Sequence, residues 1–229
     1  MKPIKIKKNY YKFSFDTFDD FWKSIISTLS GDFDKKTNRE IFFHSKKILS
    51  IDEIINSEKE KRFKYQLALW FFYDLGNQLK NLEEKNISIP FFDKSDIIVL
   101  DTEKRYRFLY VNREKLLKIN NGEIKIDTPY KNNGYFSPEL EDVSILPSKI
   151  TFKSGIFSLA AMCTALLNNK KITDEMRKQG FFWRTDTSCD FDHLSERVLL
   201  LDLIYGTKLY FALERCLDNS SNVRYFFFI

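Results

Sequence analysis

Between Gly134 and Ala160 the chain reads GYFSPELEDVSILPSKITFKSGIFSLA, and this stretch constrains the fold more than any other. It passes from a polar loop through Pro138-Glu139 into Gly155-Ile156-Phe157-Ser158-Leu159-Ala160, which opens a helix expected from Ile156 to Leu167. A longer helix is expected ahead of it, from about Glu60 to Glu84, where Phe63, Leu67, Trp70, Phe71, Leu75, Leu79 and Leu82 share one face. That apolar stripe is broad enough for a helix buried among other helices.

Residues 4 to 15 alternate lysine with Ile4, Ile6, Tyr11, Phe13 and Phe15, which predicts a strand with one buried face. Asp16 or Thr17 is placed to cap a helix carrying Phe18, Phe21, Trp22, Ile25, Ile26 and Leu29, with Gly31 as its stop. Ile41 to Leu49 predicts two short strands about a turn, and Ser50-Ile51-Asp52-Glu53 has the spacing of a capping box. After the long helix, Ile87 to Pro90, Ile97 to Leu100 and Arg107 to Val111 predict short strands, with Asp93 and Asp101-Thr102 in the turns. The remainder is expected to be helical, over Thr173 to about Arg177, Leu194 to about Phe211, and Leu213 to Phe228. A chain of 229 residues that is 43% hydrophobic can bury a sizeable core, and its low Gly and Pro content excludes collagen-like and disordered classes.

The Pro138-Glu139 pair followed by Gly155 to Ala160 resembles the end of a protein-kinase activation segment, where a Pro-Glu pair precedes Asp-x-Trp-Ser-Leu-Gly at the start of the large C-lobe helix. Ile41 to Ile55, IFFHSKKILSIDEII, is similar to the last N-lobe strand, the hinge and the first C-lobe helix; Glu60 to Glu84 is similar to the helix before the catalytic loop. Thr207-Lys208-Leu209-Tyr210 through Leu213-Glu214-Arg215-Cys216-Leu217 to Val223-Arg224 resembles the kinase ending in which an Arg follows a cysteine-leucine turn. The resemblance covers roughly residues 41 to 229. It implies an α+β, protein-kinase-like fold with a reduced N-lobe over residues 1–56 and a mainly helical C-lobe over 57–229. In that family the Arg pairs with the Glu of the Pro-Glu motif, so the resemblance also implies an ion pair between Glu139 and Arg224.

Phosphoryl transfer needs backbone amides over the phosphates, a lysine on them, carboxylates on Mg²⁺ and a carboxylate near the accepting hydroxyl. Gly31 is the only glycine before Gly76, so the Gly-rich loop is missing. Lys12 and Lys46 are the best candidates for the phosphate lysine and read as solvated strand lysines. Asp93 can be set on the catalytic Asp, but the Asn position then falls on Ile98; Asp96 serves only if the loop is shortened, and both aspartates read as turn residues. Asn112 stands nearest to the metal-binding Asp, and an amide oxygen is a weaker Mg²⁺ ligand than a carboxylate. Gly155 stands where the family has a helix Asp that braces the catalytic loop. The expectation is a pseudokinase with no catalytic, cofactor or metal residues, only the degenerate equivalents Asp93, Asp96 and Asn112, serving as a protein-binding or scaffolding subunit. One alternative is an atypical active kinase using Asp93 as catalytic carboxylate with Asp96 and Asn112 on metal. The other is a polyanion-binding adaptor acting through Lys2, Lys5, Lys7, Lys8 and Lys12.

Lys and Arg number 37 against 32 Asp and Glu, interspersed over most of the chain, so nucleic acid is not an expected partner and the N-terminal lysines beside Tyr10 and Tyr11 read as a solvated strand. Cys163, Cys189 and Cys216 lack CxxC spacing and read as reduced thiols. His44 and His193 are too isolated for a metal site, and Cys189 to His193 reads as a surface loop. Tyr225 to Ile229 reads as a core-packing end. No apolar run reaches membrane-spanning length and no signal-peptide core follows the basic start, which predicts a cytoplasmic protein with protein partners and no membrane span. The abundance of Lys, Asn, Ile, Phe and Tyr fits an AT-rich coding sequence, as in a large DNA virus, a parasite or an endosymbiont; a viral source would place the protein in a virion-associated assembly or virus factory.

Overall fold

Two strands open the chain in place of the single one that alternation predicts. β1 (Ile4–Lys7) and β2 (Tyr10–Ser14) form a hairpin turned at Asn9, whose φ of 59° an Asn side chain tolerates. Ile4 and Ile6 are 52% and 46% exposed because β1 is the sheet edge, and only Tyr11, Phe13 and Phe15 reach the core. The computed structural model describes residues 3–29, 33–37, 39–168 and 201–226.

α1 (Asp20–Thr28) is capped by Asp19, whose carboxylate accepts from the Trp22 amide, and not by Asp16 or Thr17. Its Trp22 packs on Phe15 and Phe13, with ring centroids 4.5 and 5.7 Å apart, closing one face of the first sheet. The helix ends before Gly31, which lies outside the described residues. β3 (Phe33–Lys36) and β4 (Glu40–His44) complete an antiparallel sheet of order β1-β2-β4-β3.

β5 (Lys47–Leu49) leaves that sheet and pairs with β7 (Ile97–Asp101), so the turn before it is not a hairpin. The Ser45 hydroxyl, bonded to the Lys47 and Asp101 carbonyls at 2.6 and 3.2 Å, makes the crossing. Ser50 and Glu53 form the capping box of α2 (Ile51–Ser57), as their spacing predicts. α3 (Tyr65–Glu83) starts later than its apolar stripe, with Phe63 buried ahead of it. Asp74 and Gln78, one turn apart on its buried side, satisfy the free edge of β8 (Tyr106–Tyr110). Gln78 exchanges bonds of 2.8 and 2.9 Å with the backbone of Tyr110, and Asp74 takes the Phe108 amide at 3.1 Å together with Arg105 at 2.6 Å.

β6 (Ile87–Ser88), β9 (Leu117–Asn120), β10 (Glu123–Ile126) and β11 (Ser148–Thr151) form another antiparallel sheet, of order β11-β10-β9-β6. The β9–β10 turn is Asn121-Gly122, with φ of 53° and 79°. Residues 57–229 thus hold strands as well as helices, and the β5–β7 pairing crosses the boundary set at residue 56. α4 (Pro138–Glu141) precedes α5 (Ser154–Asn168), which is buried from Ser154 to Leu167 and packs on α3 and on α6 (Lys208–Cys216). The helix expected at Thr173 to Arg177 and the first part of the one expected from Leu194 lie outside the described residues. Within the described part of the helix expected to Phe211, a 3-10 turn at Asp202–Ile204 comes first and Thr207 caps α6 afresh; of the stretch expected around Leu213 to Phe228, α6 covers Leu213 to Cys216 and a 3-10 turn follows at Ser221–Val223. The last residues of the expected core-packing end also lie outside the described residues, while Tyr225 is 43% exposed and Phe226 meets Phe72 edge-on with ring centroids 5.8 Å apart.

Among the described residues no helix is long and apolar enough to cross a membrane. Cys163 and Cys216 are buried free thiols, pushed up by burial, Cys216 to about 12, which keeps them protonated; Cys189 and His193 lie outside the described residues.

Glu83, at the C-terminal end of α3, has a buried carboxylate oxygen with no hydrogen-bond partner. Burial raises its pKa to about 8, against the smaller opposing effect of Lys153. The unfolded chain releases this proton near 4.5 and the folded chain near 8. The stability is therefore fully present below pH 4.5 and is lost as pH rises through 8. Glu83→Gln should stabilise the protein by about 1–3 kcal/mol at pH 8.5 and by much less at pH 5, as read from urea unfolding of both chains. An equal effect at the two pH values would mean that the carboxyl is ionised in the fold.

Candidate functional site

The segment between β6 and β7, residues 89–96, stands where the resemblance puts the catalytic loop, and α5 holds it from below. At Gly155 the two backbones touch: a Cβ built there would lie 2.1 Å from the Ile89 carbonyl oxygen. The side chains that hold the segment come from either side of that glycine. Ser154 Oγ donates to the Pro90 carbonyl at 2.9 Å and meets Ser137 Oγ at 2.7 Å, while Ser158 Oγ accepts from the Phe92 amide at 2.8 Å. All three serines are fully buried. From above, Asn133 Nδ2 donates to the Phe92 carbonyl at 2.7 Å.

Asp93 caps the 3-10 turn at Lys94–Asp96. Its Oδ1 accepts from the Ser95 amide at 2.9 Å and the Ser95 hydroxyl at 2.7 Å, and its Oδ2 from Asn133 at 3.1 Å. Burial raises the pKa of this carboxyl, but the Ser95 and Asn133 bonds, helped by the charge of Lys115, outweigh it and hold the group below its ordinary value. A carboxylate so stabilised is a poor base, and its lone pairs are taken by the chain's own donors.

Asp96 is 5% exposed and both its oxygens are engaged, Oδ1 by Asn112 Nδ2 at 2.7 Å and Oδ2 by the Lys115 ammonium at 2.6 Å. The amide oxygen of Asn112 points elsewhere and caps the next turn by accepting from the Glu114 amide at 3.1 Å. The structure thus brings Asp96 and Asn112 together, but with an N–H between them and an ammonium where a divalent cation would have to sit. These residues do not fit Mg²⁺, which demands oxygen ligands. Among the described residues no group of three His, Cys, Asp or Glu side chains is placed to hold a metal.

Lys12 makes its ion pair with Glu40 on the neighbouring strand, away from α1, and Lys46 is exposed on the turn before β5. The cap of α1, Asp19, reaches instead to Arg113 at 2.5 Å, tying the first sheet's helix to the segment after Asn112. Above Asp93 and Asp96, the buried Tyr110 hydroxyl has no hydrogen-bond partner; burial and then the charges of Asp96, Tyr130 and Asp93 push its pKa well up.

Glu139 and Arg224 meet as a bidentate pair, with N–O distances of 2.5 and 3.0 Å. Arg224 is wholly buried over the ring of Phe157 and also donates to the Asp218 and Asn219 carbonyls at 2.5 and 2.9 Å.

Lys115, Asn133, Ser154 and Ser158 are the site residues that sequence reasoning misses. Only the serines leave a signal, two hydroxyls one turn apart inside an otherwise apolar helix start. In three dimensions the chain is similar to a solved structure described as "Titin kinase and its flanking domains", with a TM-score of 0.52 and 13% sequence identity. The likeness covers 95% of this chain and 40% of that one. The fold is therefore kinase-like, in a chain that spans less than half of the structure it resembles. No family model matches the sequence, and no curated protein matches it either.

Proposed function

We propose that this chain is a pseudokinase, a kinase-like fold with a reduced N-lobe over residues 1–56 and a mainly helical C-lobe over 57–229, serving as a scaffolding or protein-binding subunit in the cytoplasm. The observation that carries this reading is the state of Asp96. Its two oxygens are saturated by Asn112 and Lys115, so the one carboxylate that could replace the missing metal ligand is spent on a structural ion pair. Asp93 is likewise committed to Ser95 and Asn133, and the turn between β1 and β2 has no glycine with which to approach a phosphate. What the fold retains is scaffold: the serine clamps on residues 90–92 and the Glu139–Arg224 pair.

The reading predicts that millimolar Mg-ATP leaves the melting temperature within about 1 °C, because a ligand that binds only weakly adds almost nothing by mass action. A rise of several degrees would favour an active kinase using Asp93. In that case Lys115 would have to leave Asp96, and Asp96→Ala, which removes the carboxylate left to hold the metal, would abolish the shift.

A further inference from the structure

The first sheet gathers charge and aromatic surface that are scattered along the sequence. Residues 3–14 and 33–46, which supply its strands and the turn after β4, hold eight lysines and arginines against two carboxylates, Asp34 and Glu40. The whole chain nets only +5, so the remainder carries a slight negative excess. Two turns deliver this charge to one end of the sheet. The Ser45 amide donates to the Asn9 carbonyl at 3.1 Å, which sets the turn of Lys7 and Lys8 beside that of Lys46. All three lysines are exposed, and among the described residues none has an ion-pair partner. Lys47 is different, since β5 places it opposite Asp101.

Aromatic side chains stand between these lysines. Tyr10 and His44 face each other across β2 and β4 with ring centroids 4.7 Å apart, and Phe42 stacks on Tyr10 at 6.0 Å and 21°. Lys7 Nζ lies 5.2 Å from the centre of the Tyr10 ring. The opposite face of the same strands carries Tyr11, Phe13, Ile41 and Phe43 into the core, so the Tyr10 row is left facing outward.

We propose that this face binds single-stranded nucleic acid, with phosphates on Lys7, Lys8 and Lys46 and bases stacked on Tyr10, Phe42 and His44. Lysines alone attract any polyanion, but rings on the same face select unpaired bases, which offer their π faces as a duplex does not. An anionic bilayer is a poorer match. Its flat layer of headgroups would press on Asp34, hydrogen-bonded to the Tyr10 hydroxyl at 2.8 Å, and on Glu40, whereas a strand can thread past them. The proposal is independent of the pseudokinase reading, since it uses no residue of the catalytic-loop region.

The test is fluorescence anisotropy with labelled oligouridylate, duplex DNA of the same length, and phosphatidylserine-containing vesicles, from about 50 to 200 mM salt. The intact chain should prefer the single strand. Lys7→Ser/Lys8→Ser/Lys46→Ser should lower single-strand affinity at least about ten-fold and flatten the log–log salt slope by about 2, because each phosphate contact on a single strand contributes about 0.7. His44→Ala and Phe42→Leu should each weaken binding roughly five-fold or more with the slope unchanged, as expected for lost stacking. Circular dichroism and melting curves establish that the variants fold. The proposal is overturned if the single strand does not bind, if duplex or vesicles bind as tightly, if the triple lysine variant binds like the parent, or if the ring substitutions have no effect while the lysine ones do.

Discussion

Arg224→Ala should be among the most damaging single substitutions in the chain, costing about 3–5 kcal/mol, the usual consequence of breaking a buried ion pair. The guanidinium has no exposed surface and is used at both ends: it takes Glu139 in a fork, the Asp218 and Asn219 carbonyls along its other edge, and the Phe157 ring beneath. Truncation would leave both carbonyls without their donor and a cavity over α5. Glu139 is 21% exposed and can recover some hydration when its partner is lost. Glu139→Ala should cost less, about 2–3 kcal/mol, because Arg224 then keeps its carbonyl partners while two donors go unmet. Arg224→Lys should recover under half of the loss, since an ammonium cannot span both carboxylate oxygens. Urea unfolding of the two single variants and the double variant gives the coupling directly. Strict additivity would mean that the two groups do not stabilise each other. The pair joins α4 to the chain after α6 across α5, so its loss should also loosen the segment ahead of α4, whose Asn133 bonds Phe92 and Asp93.

The parts of this fold that are legible in the sequence are those set by long apolar periodicity or by local capping chemistry. α3 follows from its apolar stripe, α5 from an apolar run too long for a strand, and α2 from Ser50 and Glu53. The β9–β10 hairpin is announced by Asn121-Gly122 between alternating residues, among the strongest short-range turn signals, and it lies outside the motifs that carry the kinase resemblance. Ile4 and Ile6 mislead because alternation gives a strand's two faces but not whether the strand sits at an edge. At the candidate site the positions of Asp93, Asp96 and Asn112 along the chain are readable, but their state is not. Lys115 lies 19 residues beyond Asp96, and Asn133 lies 40 beyond Asp93, so apart from the neighbouring Ser95 the donors that occupy these carboxylates come from other elements. The patch formed by Lys7, Lys8 and Lys46 is hidden for the same reason, because the Ser45–Asn9 bond, not sequence proximity, brings the turns together.

Gly155→Ala should destabilise the protein by about 3 kcal/mol or more, at or beyond the upper end of what overpacking costs. A methyl at this position would meet the Ile89 carbonyl oxygen at 2.1 Å, with the Ile89 carbonyl carbon at 3.3 Å and a Leu79 methyl at 3.6 Å behind it. Backbone cannot rotate aside as a side chain can, so either α5 or residues 89–92 must move by more than an ångström. The serine bonds oppose that movement, because Ser154 on Pro90 and Ser158 on Phe92 fix the segment just after the clash. Ser158→Ala gives the scale, since it strands a buried amide and should cost about 1–2 kcal/mol without moving the backbone. If Gly155→Ala unfolds within about 0.5 kcal/mol of the parent, the close approach is wrong. The same contact bears on the proposed function. A side chain at residue 155 long enough to brace a catalytic loop would have to pass through the Ile89 carbonyl, so Gly155→Asp should unfold the chain and not restore a kinase-like brace. The segment and its supporting helix meet backbone to backbone, and fitting a braced loop of the kind protein kinases have would require residues 89–93 to be rebuilt together with position 155.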